Sequence, residues 1–128
     1  MAAKTRTESR KPTRKKEPSP GVDAVKTSDL RQKKELDQLI HDLKFGSSEV
    51  VRSSAAGALG HSRSEKAIAP LIEALTDNHV HVRHRAAWAL GEIKSQRAVS
   101  ALKEALNDTD ELMRNKAAEA LGKIQDRP

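Results

Sequence analysis

Cysteine is absent from this chain, so neither a disulfide nor a thiolate-bound metal is available to it. Tyrosine is absent too, and Phe45 and Trp88 are the only members of the Phe, Trp and Tyr set. A core must therefore be assembled from Ala, Leu, Val and Ile. No apolar run approaches the roughly 20 residues that span a bilayer. No signal-peptide apolar region is visible either, which makes a cytoplasmic protein the expectation. Nucleophile-base triads, phosphate-binding glycine loops and paired carboxylates are also missing from the sequence pattern. The common routes to catalysis therefore find no residues here.

What is present is one unit written three times at a spacing of 31 residues: VRSSAAGALG from Val51, VRHRAAWALG from Val82 and MRNKAAEALG from Met113. Arg52, Arg83 and Arg114 fall in register, as do Gly60, Gly91 and Gly122. A period of this length means stacked supersecondary units, each burying its apolar face against the next. Between the copies lies a second unit. EKAIAPLIEALTD, from Glu65 to Asp77, matches QRAVSALKEALND, from Gln96 to Asp108, and a degenerate copy runs from Leu36 to Gly46.

Charge divides the chain. Residues 1–28 hold eight basic residues against three acidic ones, a net charge of +5, whereas the other hundred residues hold 16 against 15. That segment also carries Pro12, Pro18, Pro20 and Gly21 and almost no large apolar side chain, a composition that cannot offset its ordering entropy. A disordered basic tail over 1–28 and a repeat domain over 29–128 are therefore expected. Arg10, Lys11, Arg14, Lys15 and Lys16 form the densest basic cluster, suited to weak nucleic-acid or anionic-surface contact through phosphates. No aromatic residue interleaves with it, so base stacking is not expected there.

Both units have helical periodicity. Val82, Ala86, Ala89 and Leu90 form one stripe, and Ala98, Val99, Leu102, Ala105 and Leu106 another. Asp77 or Asn78 suits the start of the first helix of a copy, and Gly91 suits a left-handed position after its end. Pro70, inside the second unit, predicts a late start or a kink. The expected order is a lone helix near Asp29 to Lys44, two helical hairpins, and a final lone helix near Asp110 to Lys123. The final helix is polar enough to cap the stack, and a second chain is the alternative cover, so a homodimer is an open expectation.

The pattern D-x5-V/M-R-x2-A-A-x-A-L-G, followed by A-V/I-x2-L-x2-A-L-x-D, resembles the HEAT-like repeats of the phycobilisome-lyase type over about Leu36 to Gln125. The resemblance implies an all-α, short right-handed solenoid of helical hairpins. It also implies an Asp-Arg ladder between neighbouring repeats, carried by residues six apart. Asp77 with Arg83 and Asp108 with Arg114 match that spacing, whereas Gly46 lies six before Arg52. The ladder is therefore expected to fail at that end.

Removing the repeat-defining positions leaves variable residues on the first helix of each copy, chiefly Ser53, Ser54 and Gly57; His81, His84, Arg85, Trp88 and Glu92; and Asn115, Lys116 and Glu119. Helical spacing places the second group on one face. The resemblance implies that this face is concave and meets a partner protein. Trp88 stands out because its counterparts are Gly57 and Glu119. Trp and Arg are the side chains that most often dominate interface energy. The competing reading has Trp88 covering the gap at Gly57 and packing on Arg85.

A hydroxylase branch of the same repeat class carries His-Glu pairs that ligate iron just after the V-R step. The matching positions here are Ser53-Ser54, His84-Arg85 and Asn115-Lys116, where only His84 agrees. His79, His81 and His84 lack a closing carboxylate, so neither metal nor other cofactor is expected. The leading expectation is a non-catalytic adaptor for another protein. Alternatives are a bilin-lyase-associated or chromophore-handling subunit, and anion binding through the tail.

Overall fold

The computed structural model describes the backbone of residues 20–125 and the side chains of residues 31–125. Six α-helices and no strand are found among them: α1 (Pro20–Phe45), α2 (Glu49–Ser62), α3 (Ile68–Ala74), α4 (Val80–Ile93), α5 (Val99–Ala105) and α6 (Glu111–Gln125). A 3-10 turn precedes each of the two short helices, at Glu65–Ala67 and Gln96–Ala98. The chain divides after Glu35 into two units. In the first, α1 begins at Pro20, nine residues before the start that the apolar pattern suggests. Proline is suited to a first helical position because its missing N–H has no acceptor there. The second unit begins at Leu36, later than residue 29, since residues 31–35 are all exposed and Leu36, Leu39, Ile40 and Leu43 are the first to reach the core.

Within the second unit α4 lies between α2 and α6, while α3 packs on α4 and α5 on α6. This all-α solenoid is the fold the repeats imply. Eleven of the twenty-two buried apolar residues are alanine, so the helices are held together by close backbone approach rather than by large side chains. Leu59, Leu90 and Leu121 form the registered leucine column, and Ile68, Leu71, Leu102, Met113 and Ile124 fill the space between layers.

The glycine column has a different reason from the one the sequence suggests. No glycine has positive φ, and the left-handed residues closing α2 and α4 are Arg63 (φ 54°) and Lys94 (φ 60°). Gly60 and Gly91 sit one turn earlier, inside the helices. A Cβ on Gly60 would lie 2.6 Å from Trp88 Cζ3 and 2.8 Å from Ala89 Cβ, and one on Gly91 would lie 3.0 Å from Ala120 Cα. Glycine is there because the next helix crosses at that point.

Helix starts also differ from expectation. The cap of α4 is His79, whose Nδ1 accepts from the His81 N–H, while Asp77 Oδ1 accepts from the His79 N–H. Its registered counterparts are Ser48, which caps α2, and Asp110, whose Oδ2 accepts from the Met113 N–H. Pro70 is the third residue of α3, where a helical N–H has no partner within the helix, so it neither kinks nor delays it. The late start is shared by α5, which has Ala101 at that place; Ser64 and Ser95 cap the two 3-10 turns. Leu106 is exposed, unlike the rest of its expected stripe.

Candidate functional site

The Asp-Arg ladder fixes the register of the helices that carry the variable positions. Each arginine donates through Nη1 to the backbone carbonyl six residues before it: Arg52 to Gly46, Arg83 to Asp77 and Arg114 to Asp108, at 2.9, 2.8 and 2.7 Å. In Arg52 and Arg83 the other guanidinium edge meets the aspartate 25 residues later. Arg52 grips Asp77 in a fork, Nε to Oδ2 at 2.9 Å and Nη2 to Oδ1 at 3.2 Å. Arg83 Nε lies 3.0 Å from Asp108 Oδ2 but is misaligned for a hydrogen bond, so Nη2, at 3.4 Å from Oδ1, carries it.

The ladder therefore does not fail at Gly46. The six-residue link uses a carbonyl, which glycine supplies as well as aspartate does. The arginine left without a carboxylate among the described residues is Arg114.

The variable face is built by α2, α4 and α6. An open depression of about 400 Å³ on it is lined by Ser53, His81, His84, Arg85, Trp88 and Lys116. Three helices contribute, so the site exists only in the stacked repeats. Ser54, Gly57, Glu92, Asn115 and Glu119 share the helices but not the lining.

The reason lies in their contacts. Gly57 is buried, and a Cβ there would lie 2.9 Å from Arg85 Nη1. Arg85, not Trp88, covers that gap. The Trp88 ring sits one turn further on, over Gly60, with its centroid 5.0 Å from that of His61 in an edge-on contact. Trp88 is half-buried and packs against the core, so its ring is anchored with one part left to solvent.

Charge is apportioned unevenly over the face. Glu92 is engaged by Arg63 and Lys123, and the Lys123 hydrogen bond holds its carboxyl below the usual glutamate range, against the opposing effect of burial. His84 Nε2 lies 2.9 Å from Asp110 Oδ2. That hydrogen bond, followed by the one from the Met113 N–H, lowers the Asp110 carboxyl. Asp110 and Arg63 were not singled out from the sequence; the signal that could have found Asp110 is the 31-residue spacing that aligns it with Ser48 and His79, the caps of α2 and α4.

Arg85 and Lys116 have no ion pair among the described residues. His81 stacks with His79 at 5.3 Å and meets His84 edge-on at 6.0 Å. No group of three or more His, Asp or Glu placed to hold a metal occurs among the described residues.

Arg10, Lys11, Arg14, Lys15 and Lys16 lie outside the described residues. None of the described helices is long and apolar enough to cross a membrane.

A search of curated proteins finds no match to the chain. The family model for HEAT repeats matches residues 36–127, the span over which the ladder, the glycine column and the alanine-rich core recur. Repeats of this family generally mediate protein–protein interaction and are typically non-enzymatic. The chain belongs to the HEAT repeat family.

Proposed function

We propose that this chain is a non-catalytic adaptor that binds a protein partner on the face formed by α2, α4 and α6. The observation that carries the reading is the depression at Ser53, His81, His84, Arg85, Trp88 and Lys116, lined by positions that the repeat itself does not specify. An anchored tryptophan beside an unpaired arginine is the residue pairing that most often concentrates binding energy, about 2 kcal/mol or more per side chain. The ring is already ordered against Gly60, so little rotamer entropy remains to be lost on binding. The V/M-R-x2-A-A-x-A-L-G motif further supports placing these repeats in the phycobilisome-lyase-like branch.

Affinity purification from the native source followed by mass spectrometry tests the adaptor reading. The baits are the wild-type chain, the Trp88→Ala/Arg85→Ala chain and a chain lacking residues 1–19, with circular dichroism confirming that each is helical. The expected result is a discrete protein captured by the wild type and the truncated chain and lost from the face variant. Capture that depends on residues 1–19 and ignores the face moves function to the basic tail.

A further inference from the structure

We propose that the segment received by the depression is acidic polypeptide, with Arg85 and Lys116 taking its carboxylates and Trp88 supplying the adjoining apolar contact. This inference deepens the adaptor reading and rests on it.

The argument is one of charge complementarity. None of the six lining residues is acidic, and two of them, Arg85 and Lys116, carry a full positive charge at neutral pH. Two carboxylates around the face are already engaged, Asp110 by His84 and the Met113 N–H and Glu92 by Arg63 and Lys123, while Glu119, one turn after Lys116 on α6, is exposed outside the lining. The two lining cations outnumber this one exposed carboxylate, so a net positive field remains for a ligand, and the repeat domain can be nearly neutral as a whole while this face is not.

Arg85 is also placed for the task. Glycine at position 57 lets its guanidinium lie close over α2, where a Cβ would stand 2.9 Å from Nη1. A guanidinium seated on α2 through its Nη1 end keeps its other N–H groups for an incoming carboxylate. His81 and Ser53 add polar groups at the margin.

Trp88 is the chain's single tryptophan, so its indole N–H resonance and its fluorescence report on this site alone. That matters because the basic residues of the tail will also attract an acidic peptide. The full-length, isotope-labelled chain is titrated with deca-glutamate at low and at physiological salt, with a neutral Gly-Ser decapeptide and a deoxythymidine 15-mer run in parallel. The expected result is a saturable shift of the Trp88 indole and of the backbone amides of residues 84–88 and 116, weaker at higher salt and absent with Gly-Ser.

Arg85→Glu with Lys116→Glu is expected to weaken this response about tenfold or more, the scale of removing two exposed ion pairs and adding repulsion. Lys103→Glu, a single charge reversal on α5, leaves it unchanged. A neutral pair, Arg85→Gln with Lys116→Gln, provides the intermediate case should the double reversal fail to fold.

Shifts confined to residues 1–28, a response indifferent to the charge reversal, or tighter binding of the oligonucleotide at the Trp88 resonance would each overturn the proposal. Such an outcome, with face-dependent protein capture intact, removes the acidic preference and leaves the adaptor reading. The converse outcome, a charge-dependent response without any captured protein, removes the adaptor reading and leaves the acid-binding site.

Discussion

Alanine placed at the three registered glycines separates close helix approach from backbone freedom. In a helix interior Gly→Ala gains roughly 1 kcal/mol from propensity alone. At Gly60 the new Cβ would stand 2.6 Å from Trp88 Cζ3, 2.8 Å from Ala89 Cβ and 2.9 Å from Ala89 Cα. The ring edge can swing, but Ala89 Cα is backbone, so α2 and α4 must part. Overpacking of this kind costs about 1–3 kcal/mol, and against the propensity gain the net expectation for Gly60→Ala is a loss of up to about 2 kcal/mol.

At Gly91 the nearest atoms are Ala120 Cα at 3.0 Å, Ala120 Cβ at 3.1 Å and Lys123 Cδ at 3.4 Å. The gain and the cost nearly cancel there, leaving a change within about 1 kcal/mol. At Gly122 nothing lies within 4 Å, so only propensity acts, giving a stabilisation of up to about 1 kcal/mol, reduced by fraying near the helix end. Urea unfolding followed by circular dichroism reads all three, and each kcal/mol corresponds to roughly 4–8 °C in Tm for a domain of this size. If Gly60→Ala stabilised the fold as much as Gly122→Ala, close approach would not be the reason for the glycine column.

The ladder makes a second set of expectations. Asp77→Ala leaves the half-buried Arg52 guanidinium without its carboxylate and is expected to cost about 1–3 kcal/mol by chemical denaturation. Arg114→Ala, which removes only a bond to a carbonyl, is expected to cost less than Arg83→Ala. Acid sensitivity follows from the two lowered carboxyls. Their stabilising contributions are fully present above the ordinary values of 3.8 for Asp110 and 4.5 for Glu92, and are lost as pH falls through the lower folded values. Asp110→Asn with Glu92→Gln should therefore flatten the dependence of stability on pH between about 5 and about 2, measured by urea midpoints across that range. Trp88→Ala uncovers Gly60 and is expected to lower stability by about 1–2 kcal/mol, on the scale of a half-buried ring, without loss of helical content.

Much of this architecture was legible in the sequence because a 31-residue period repeats its constraints. Three copies of Ala-Ala-x-Ala-Leu-Gly specify where helices touch, and the variable positions then specify a face by subtraction. Local chemistry was less legible. Gly91 suits a left-handed turn by type, and only the position of Ala120 shows that it serves packing instead. The six-residue Asp-Arg spacing marks a real contact, but one carried by a carbonyl, a group every residue has. That is why Gly46 breaks nothing. The carboxylate contact spans 25 residues, a distance set by the hairpin fold rather than by local spacing.

At the face, the competition for the space over Gly57 lay between a partner and Trp88, and Arg85 fills it. Side-chain reach along a helix decided this, since Trp88 lies nearer to Gly60. Glu92 belongs to the face by helical spacing, yet its partners Arg63 and Lys123 stand 29 and 31 residues away and divert it from the depression.

Site-specific photo-crosslinking in the native host tests partner binding by the α2, α4 and α6 face most directly. Glu119 is exposed on α6 beside the depression, and Lys103 is exposed on α5 in the other layer. A benzophenone amino acid at position 119 should yield one discrete crosslinked protein, diminished by Arg85→Ala, while the same group at position 103 should yield none. An equal or stronger product from position 103, or a product from position 119 indifferent to Arg85, would contradict the assignment of this face.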